Sequence, residues 1–322
     1  MDFLGQRMPY VTAFYRALGT GMVISVDSPI DDKVRSAMES LIEDYEHVLS
    51  RFRNDSLIAA IGKAEHGGSF DFPDWCAPLF DLYDALFSAT SGAIDPCVGE
   101  DLIRLGYDAS LSFTVTQDAP EHLGALRGRA VWGRDVTRHG TTLVTHEPVQ
   151  LDFGACGKGY LVDLLGRMLQ SPQFVIDAGG DLLIHAEQPI SVALEDPEEQ
   201  SHAIGIAHIA NGALCASAPS RRHWNVAVNE RTQIAIHHLL NAIDGLPAQQ
   251  TEASWAYVPA NATLNLARDY PTAVADGLAT ALFVSDVAQL QRTFDFTYAT
   301  LNESRQIAAS RNFPAELFLR SA

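Results

Sequence analysis

Helical and strand-like periodicities follow one another irregularly along this chain, and that irregularity excludes most α/β architectures. A doubly wound parallel sheet needs strand, helix and strand in a steady rhythm. No such rhythm is present, so an α+β fold is predicted, with mixed, largely antiparallel sheets and packed helices. The segment GMVISVDS alternates as a strand, and DDKVRSAMESLIEDYEHVLSRF behind it carries Val34, Met38, Leu41, Ile42, Tyr45 and Leu49 at helical spacing after an acidic first turn. APLFDLYDALFSATSG is a second helix stopped by Gly92, and alternation with turn residues over about residues 129–149 predicts a hairpin. GKGYLVDLLGRMLQ predicts a helix with Tyr160, Leu161, Leu164, Leu165 and Met168 on one side, and FVIDAGGDLLIH a strand, a glycine turn and a strand. ISVALED and TEASWAYVP are further strands, and TAVADGLATALFVSD is a helix with Ala275, Leu278, Ala279 and Leu282 inward. Repeats, low-complexity tracts and linkers are missing, so one domain over residues 1–322 is expected, with room for two subdomains.

Composition narrows the function classes. Of 322 residues 47% are hydrophobic, ample for a full core, and 22 Lys and Arg against 40 Asp and Glu leave a formal charge of -18. That charge disfavours a nucleic-acid or anionic-membrane surface, so an anionic ligand needs local help from a metal ion, a helix N-terminus or a few placed cations. The start MDFLGQRMPYVTAFYRALGT lacks an apolar core behind a basic end, and no stretch reaches the roughly 18 apolar residues of a membrane helix. A cytoplasmic location without membrane insertion is therefore expected. Cys76, Cys97, Cys156 and Cys215 share no metal-ligand spacing and are expected to be buried thiols.

The stretch LDFGACGKGYLVD invites comparison with a phosphate-binding loop, but Asp152 stands where the first glycine of that motif belongs and Gly159 where its hydroxyl residue belongs. Further on, Asp276 and Thr280 in ADGLATALF are four apart and share a helix face, where a carboxylate and a hydroxyl can hold one hard cation. The plain alternative is a solvated aspartate and a threonine bonded back to the preceding turn. DAGGD permits close approach of a backbone or a ligand, or is simply a tight turn. SGAIDPCVG alone is a helix stop and a turn, and His237 and His238 are candidate bases or ordinary hydrogen-bonding groups. Arg221, Arg222 and His223 could meet a phosphate or keep a loop soluble.

Taken in order, ALGTGMVISV, SRFRNDSLI, SGAIDPCVG, LDFGACGKGYLVD, DAGGDLL and VADGLATALF resemble the ApbE family, the FAD:protein FMN transferases, from Leu18 to Phe283. That resemblance implies an ApbE-like, T-fold-like architecture. It also implies FAD as substrate and Mg²⁺ as cofactor, with the FMN half of FAD transferred to a threonine hydroxyl of an acceptor protein whose segment holds Ser, Gly, Ala and Thr. By similarity Asp276 and Thr280 are metal ligands, joined by the main-chain carbonyls of Ala155 and Ala279. Leu18, Ala93, Ile94, Asp95, Asp152 and Lys158 match FAD-contacting positions, with Lys158 near the phosphates. Asp163 and the Gly179-Gly180-Asp181 turn match motif positions of a structural kind. For the proton of the acceptor hydroxyl, His238 or Asp181 is the candidate base.

Two blocks depart from the family. Ala216-Ser217-Ala218 replaces Thr-Ser-Gly, and HLLNAIDG replaces His-Ile-Ile-Asp-Pro-Arg-Thr-Gly, so that the acid has become Asn241 and the arginine Ile243. The changes remove a carboxylate able to orient His238 and a fixed cation. Three activities stay open on sequence: transfer to threonine, Mg²⁺-dependent splitting of FAD into FMN and AMP, and FAD binding without chemistry.

Overall fold

Period-two alternation organises the central sheet. Leu182, Ile184, Leu214 and Trp255 point to one face, while Leu183, Ala213, Cys215, Ala256 and Val258 point to the other, so both faces carry a core. The structure, a computed structural model, describes residues 4–229 and 232–318. Its main sheet runs β1 (Tyr10–Ala17), β2 (Thr20–Val26), β3 (Phe174–Asp177), β4 (Asp181–Glu195), β5 (Ala203–Ser217), β6 (Thr251–Pro259), β7 (Thr297–Asn302) and β8 (Ile307–Ala309) in that spatial order, with β9 (Ala315–Leu317) pairing β5. Every pairing within it is antiparallel. The predicted α+β class and largely antiparallel sheets are what is found.

Four helices matter for the site. α1 (Asp32–Leu49) starts where the Asp31 carboxylate accepts from Lys33 N, and it buries Met38, Ile42, Tyr45 and Leu49 along one stripe. α2 (Ala77–Ala89), α3 (Gly157–Gly166) and α4 (Pro271–Ala281) pack with it over the inner face of the sheet. The tightest seam is between α3 and α4: a Cβ on Gly159 would stand 2.3 Å from Thr272 O, so only glycine lets the two backbones meet. At the opening of β4, Gly179 and Gly180 have φ of +71° and +106°, which is why the β3–β4 turn is written with two glycines.

Several predicted elements change extent. ISVALED is the second half of β4, joined to DLLIH across a register shift between His185 and Ile190. The predicted late helix stops at Ala281. The hairpin expected around 129–149 occupies Val136–His139 and Thr142–Thr145 and gains a third strand, Gly68–Asp71. Strands β1 and β5 were not anticipated.

Candidate functional site

The first turn of α3, the middle of α4 and the start of β4 bring three charged groups together. Lys158, on the first turn of α3, places Nζ 3.0 Å from Asp181 Oδ2 and 3.2 Å from each oxygen of Asp276. Asp276 also accepts from Gly159 N at 3.0 Å. Later in α3, Asp163 fixes the relation of the helices: it accepts from Thr272 N at 3.1 Å and Ala273 N at 2.8 Å, capping two orphan N–H groups of α4 from its neighbour. Burial pushes the Asp163 carboxyl up to about 7 in spite of those donors.

Asp181 and Asp276 are each 1% exposed. Burial and then repulsion from Asp181 push the Asp276 carboxyl up to about 7, against the pull of Lys158. Burial likewise raises Asp181. Desolvation opposes the charge on Lys158, but the two carboxylates hold its ammonium above the ordinary lysine value. With both carboxylates ionised the triad carries one surplus negative charge, and both carboxylates are buried.

Beside it lies a set of neutral oxygens. Thr280 Oγ1 is 3.4 Å from Ala155 O and 3.5 Å from Ser217 Oγ. Two oxygens that ligate one octahedral Mg²⁺-sized cation at about 2.1 Å stand roughly 3 Å apart, so this pair needs little adjustment to share an ion. Asp276 lies one helical turn before Thr280, on the same side of α4. Ala279 is different: its carbonyl is taken by the Ser254 hydroxyl at 2.6 Å. Among the described residues no group of three or more His, Cys, Asp or Glu could hold a metal.

The loop before α3 is anchored from the turn that follows α1. Arg51 makes an ion pair with Asp152, donates to Tyr107 O at 2.6 Å and lies over the rings of Phe52 and Tyr107 at 4.2 and 4.6 Å. Asp152 N donates to Pro96 O at 2.7 Å, which ties this loop to SGAIDPCVG. Within that segment Asp95 is committed: it accepts from Cys97 N at 2.7 Å and Trp132 N at 3.3 Å, and lies 3.5 Å from the guanidinium of Arg129. Ala93 and Ile94 are buried, and Ala93 O accepts from Ala242 N at 3.0 Å. Leu18 sits in the β1–β2 turn at φ +55°, its N–H donating to Glu46 Oε1 at 2.9 Å.

His238 follows the strand Thr232–His237. Its Nδ1 is 3.2 Å from Arg222 O, and its ring packs edge-on to Tyr107 at 6.4 Å. Desolvation, with His237, Lys158 and Arg222 adding to it, lowers its pKa to about 4, so the imidazole is neutral near pH 7. His237 is engaged elsewhere, through Nε2 to Ala248 O at 2.7 Å.

The sequence model of the ApbE family matches residues 18–300. The chain belongs to the ApbE family. Two relatives named FAD:protein FMN transferase align with it: that of Klebsiella pneumoniae (strain 342), 22% identical over 81% of this chain and 74% of its own length, and that of Treponema pallidum (strain Nichols), 27% identical over 78% and 72%. The ApbE protein of Thermotoga maritima has the same fold, with a TM-score of 0.77 at 20% identity over 95% of this chain and 99% of its own. So does the flavin transferase ApbE of Vibrio cholerae, with a TM-score of 0.74 at 17% identity over 94% and 97%.

In this ApbE member the residues expected to act together do not all meet. Lys158, Asp181 and Asp276 form one cluster, with Thr280 and Ala155 O at its side, whereas Asp95, Ala93 and Ile94 are bound into the support of the neighbouring loops. The Ala216-Ser217-Ala218 departure is mild, because the retained hydroxyl, Ser217, is the one beside Thr280 and Ala216 faces out. Arg51 was missed; a cation inside SRFRNDSLI gave no sign that Asp152 lay opposite. The buried Arg129, with Nε 2.8 Å from Asp101, was missed for the same reason. A cleft of 620 Å³ beside Leu264 and Phe294 is lined by none of these residues. Among the described residues, no helix is long and apolar enough to cross a membrane.

Proposed function

We propose that this chain transfers the FMN moiety of FAD to a threonine hydroxyl of an acceptor protein, releasing AMP, with Mg²⁺ as cofactor. The observation that carries this reading is the side-by-side placement of a buried acidic pair sharing Lys158 and an oxygen set, Asp276, Thr280 Oγ1 and Ala155 O, suited to a hard cation. Both relatives are named FAD:protein FMN transferase, which supports the transfer of FMN to a protein. Mg²⁺ bound there would offset the charge of the pyrophosphate and of the transferring phosphoryl oxygens.

The chain's own groups supply the rest. Lys158 and the backbone at the start of α3 orient phosphate oxygens, and Asp152, held by Arg51, lines the flavin nucleotide with Leu18. His238, neutral and with Nδ1–H donating to Arg222 O, presents Nε2 as the acceptor of a proton. The acceptor oxygen forms a bond to the FMN phosphorus as the bond to the AMP phosphate oxygen breaks; the threonine proton passes to Nε2. Asp181 does not serve as that base in this reading, because its oxygen faces the Lys158 ammonium.

The test is mass spectrometry of the protein incubated with FAD, Mg²⁺ and a peptide of Ser, Gly, Ala and Thr, with and without chelator. Chelator-sensitive addition of one FMN to the peptide is expected. FMN and AMP with an unlabelled peptide would make the chain a pyrophosphatase, and FAD left whole would make it a flavin binder.

A further inference from the structure

Among the described residues, Arg129 and Lys158 each face two buried carboxylates, and the two sites are built differently. Arg129 is sealed: its side chain and that of Asp101 are 0% exposed and that of Asp95 is 1%, and the guanidinium also donates to Ala130 O and, at 2.7 Å, to Ala242 O. Lys158 is open. Its side chain is 33% exposed although those of Asp181 and Asp276 are 1% and 2%. An ammonium on a four-carbon stem, held by charge and reached by solvent, can withdraw from one partner without unfolding its surroundings, whereas a planar guanidinium fixed on all sides cannot.

The partners differ too. Asp276 Oδ2 accepts from Gly159 N at 3.0 Å, so its carboxylate is held in place by the α3 backbone whether or not the ammonium is there. Among the described residues Asp181 has Lys158 Nζ, at 3.0 Å, as its one ionic contact. Two carboxylates against one ammonium leave the site one negative charge in excess. A dication brought to Asp276 with the ammonium still 3.2 Å from both of its oxygens would reverse that excess and place like charges in contact.

We propose that Lys158 is an exchangeable counter-ion: it is shared by Asp276 and Asp181 while no other cation is present, and it yields Asp276 but keeps Asp181 when a divalent cation binds. This rests on the reading of Asp276, Thr280 and Ala155 O as the cation's oxygens. The exchange frees Oδ1 of Asp276, since Oδ2 stays on Gly159 N. It also turns two N–H donors of Lys158 toward the phosphate side of the site, so the residue serves as guard of the acidic pair and then as phosphate ligand.

Titration of Mg²⁺ into the FAD-free protein by calorimetry, paired with thermal unfolding, reads this directly. Lys158→Met is expected to unfold at a lower temperature than the wild type without Mg²⁺, to recover more on its addition, and to bind Mg²⁺ about tenfold or more tightly. Asp181→Asn should do the opposite, weakening Mg²⁺ binding by about tenfold or more, because the ammonium is left with Asp276 alone. Equal or weaker Mg²⁺ binding by Lys158→Met would overturn the exchange. Should that variant not fold, undiminished Mg²⁺ affinity in Asp181→Asn overturns it instead. Asp276→Asn separates the two levels: wild-type binding that this variant leaves intact removes the cation reading itself.

Discussion

The Nδ1–H of His238 donates to the backbone carbonyl of Arg222 at 3.2 Å, which leaves Nε2 as the ring's lone-pair nitrogen. A main-chain oxygen therefore does what a carboxylate in the HLLNAIDG block would otherwise do. Asn241, where that acid would stand, spends its own oxygens on the turn: Oδ1 accepts from Ile243 N at 3.0 Å and the carbonyl from Gly245 N at 2.7 Å. Asn241→Asp is accordingly expected to change the single-turnover rate of FMN transfer by less than about threefold. A large gain would show that the Arg222 carbonyl does not suffice to orient the ring.

His238→Gln should separate chemistry from binding. The rate of transfer is expected to fall by about 10²- to 10⁴-fold, the usual worth of a positioned base, with FAD affinity nearly unchanged. A fall in FAD affinity of the same size, with the rate at saturation preserved, would make His238 a binding residue. Because its pKa is lowered to about 4, the wild-type rate at saturating Mg²⁺ and FAD should hold steady from pH 8 down to pH 6, where an ordinary histidine would already be protonating.

Affinity for Mg²⁺ should depend on pH where the rate does not. Asp276, raised to about 7, must lose its proton to serve as a ligand. Above pH 7 the affinity is expected to be flat; as pH falls through 7 the proton competes, and the apparent Kd rises toward about tenfold per unit. Calorimetric titrations between pH 6 and pH 8 measure it, and a flat profile would mean that Asp276 is ionised throughout.

Arg129 is the stability counterpart of the site. Arg129→Met strands Asp95 and Asp101 in the interior, and a loss of about 3 to 5 kcal/mol is expected in urea unfolding. Adding Asp101→Asn should recover part of it, since one uncompensated charge is then gone.

What the sequence disclosed follows from how far each signal reaches. Met38, Ile42, Tyr45 and Leu49 announce α1 because a helix's period is local, and Asp276 with Thr280 is visible for the same reason. β5 is another matter: IANGALCAS has neither strong alternation nor many branched residues, and it is a strand because β4 and β6 flank it. The pairing of Lys158 with Asp276, and of Arg51 with Asp152, joins residues more than a hundred positions apart, where no spacing rule applies. His238 hid its partner most completely, since a backbone carbonyl has no letter in the sequence.

The contact at Gly159 gives the molecule a mechanical sensitivity at a place with no reactive group. With Thr272 O only 2.3 Å from where a methyl carbon would be, Gly159→Ala acts as a wedge that must part α3 from α4. Lys158 and the Gly159 N–H ride on one side of that seam and Asp276 on the other, so the width of a single methyl group sets the alignment of the charges. The seam is thus a hinge pin under the chemistry: a lesion there would silence the protein while every functional side chain is still present.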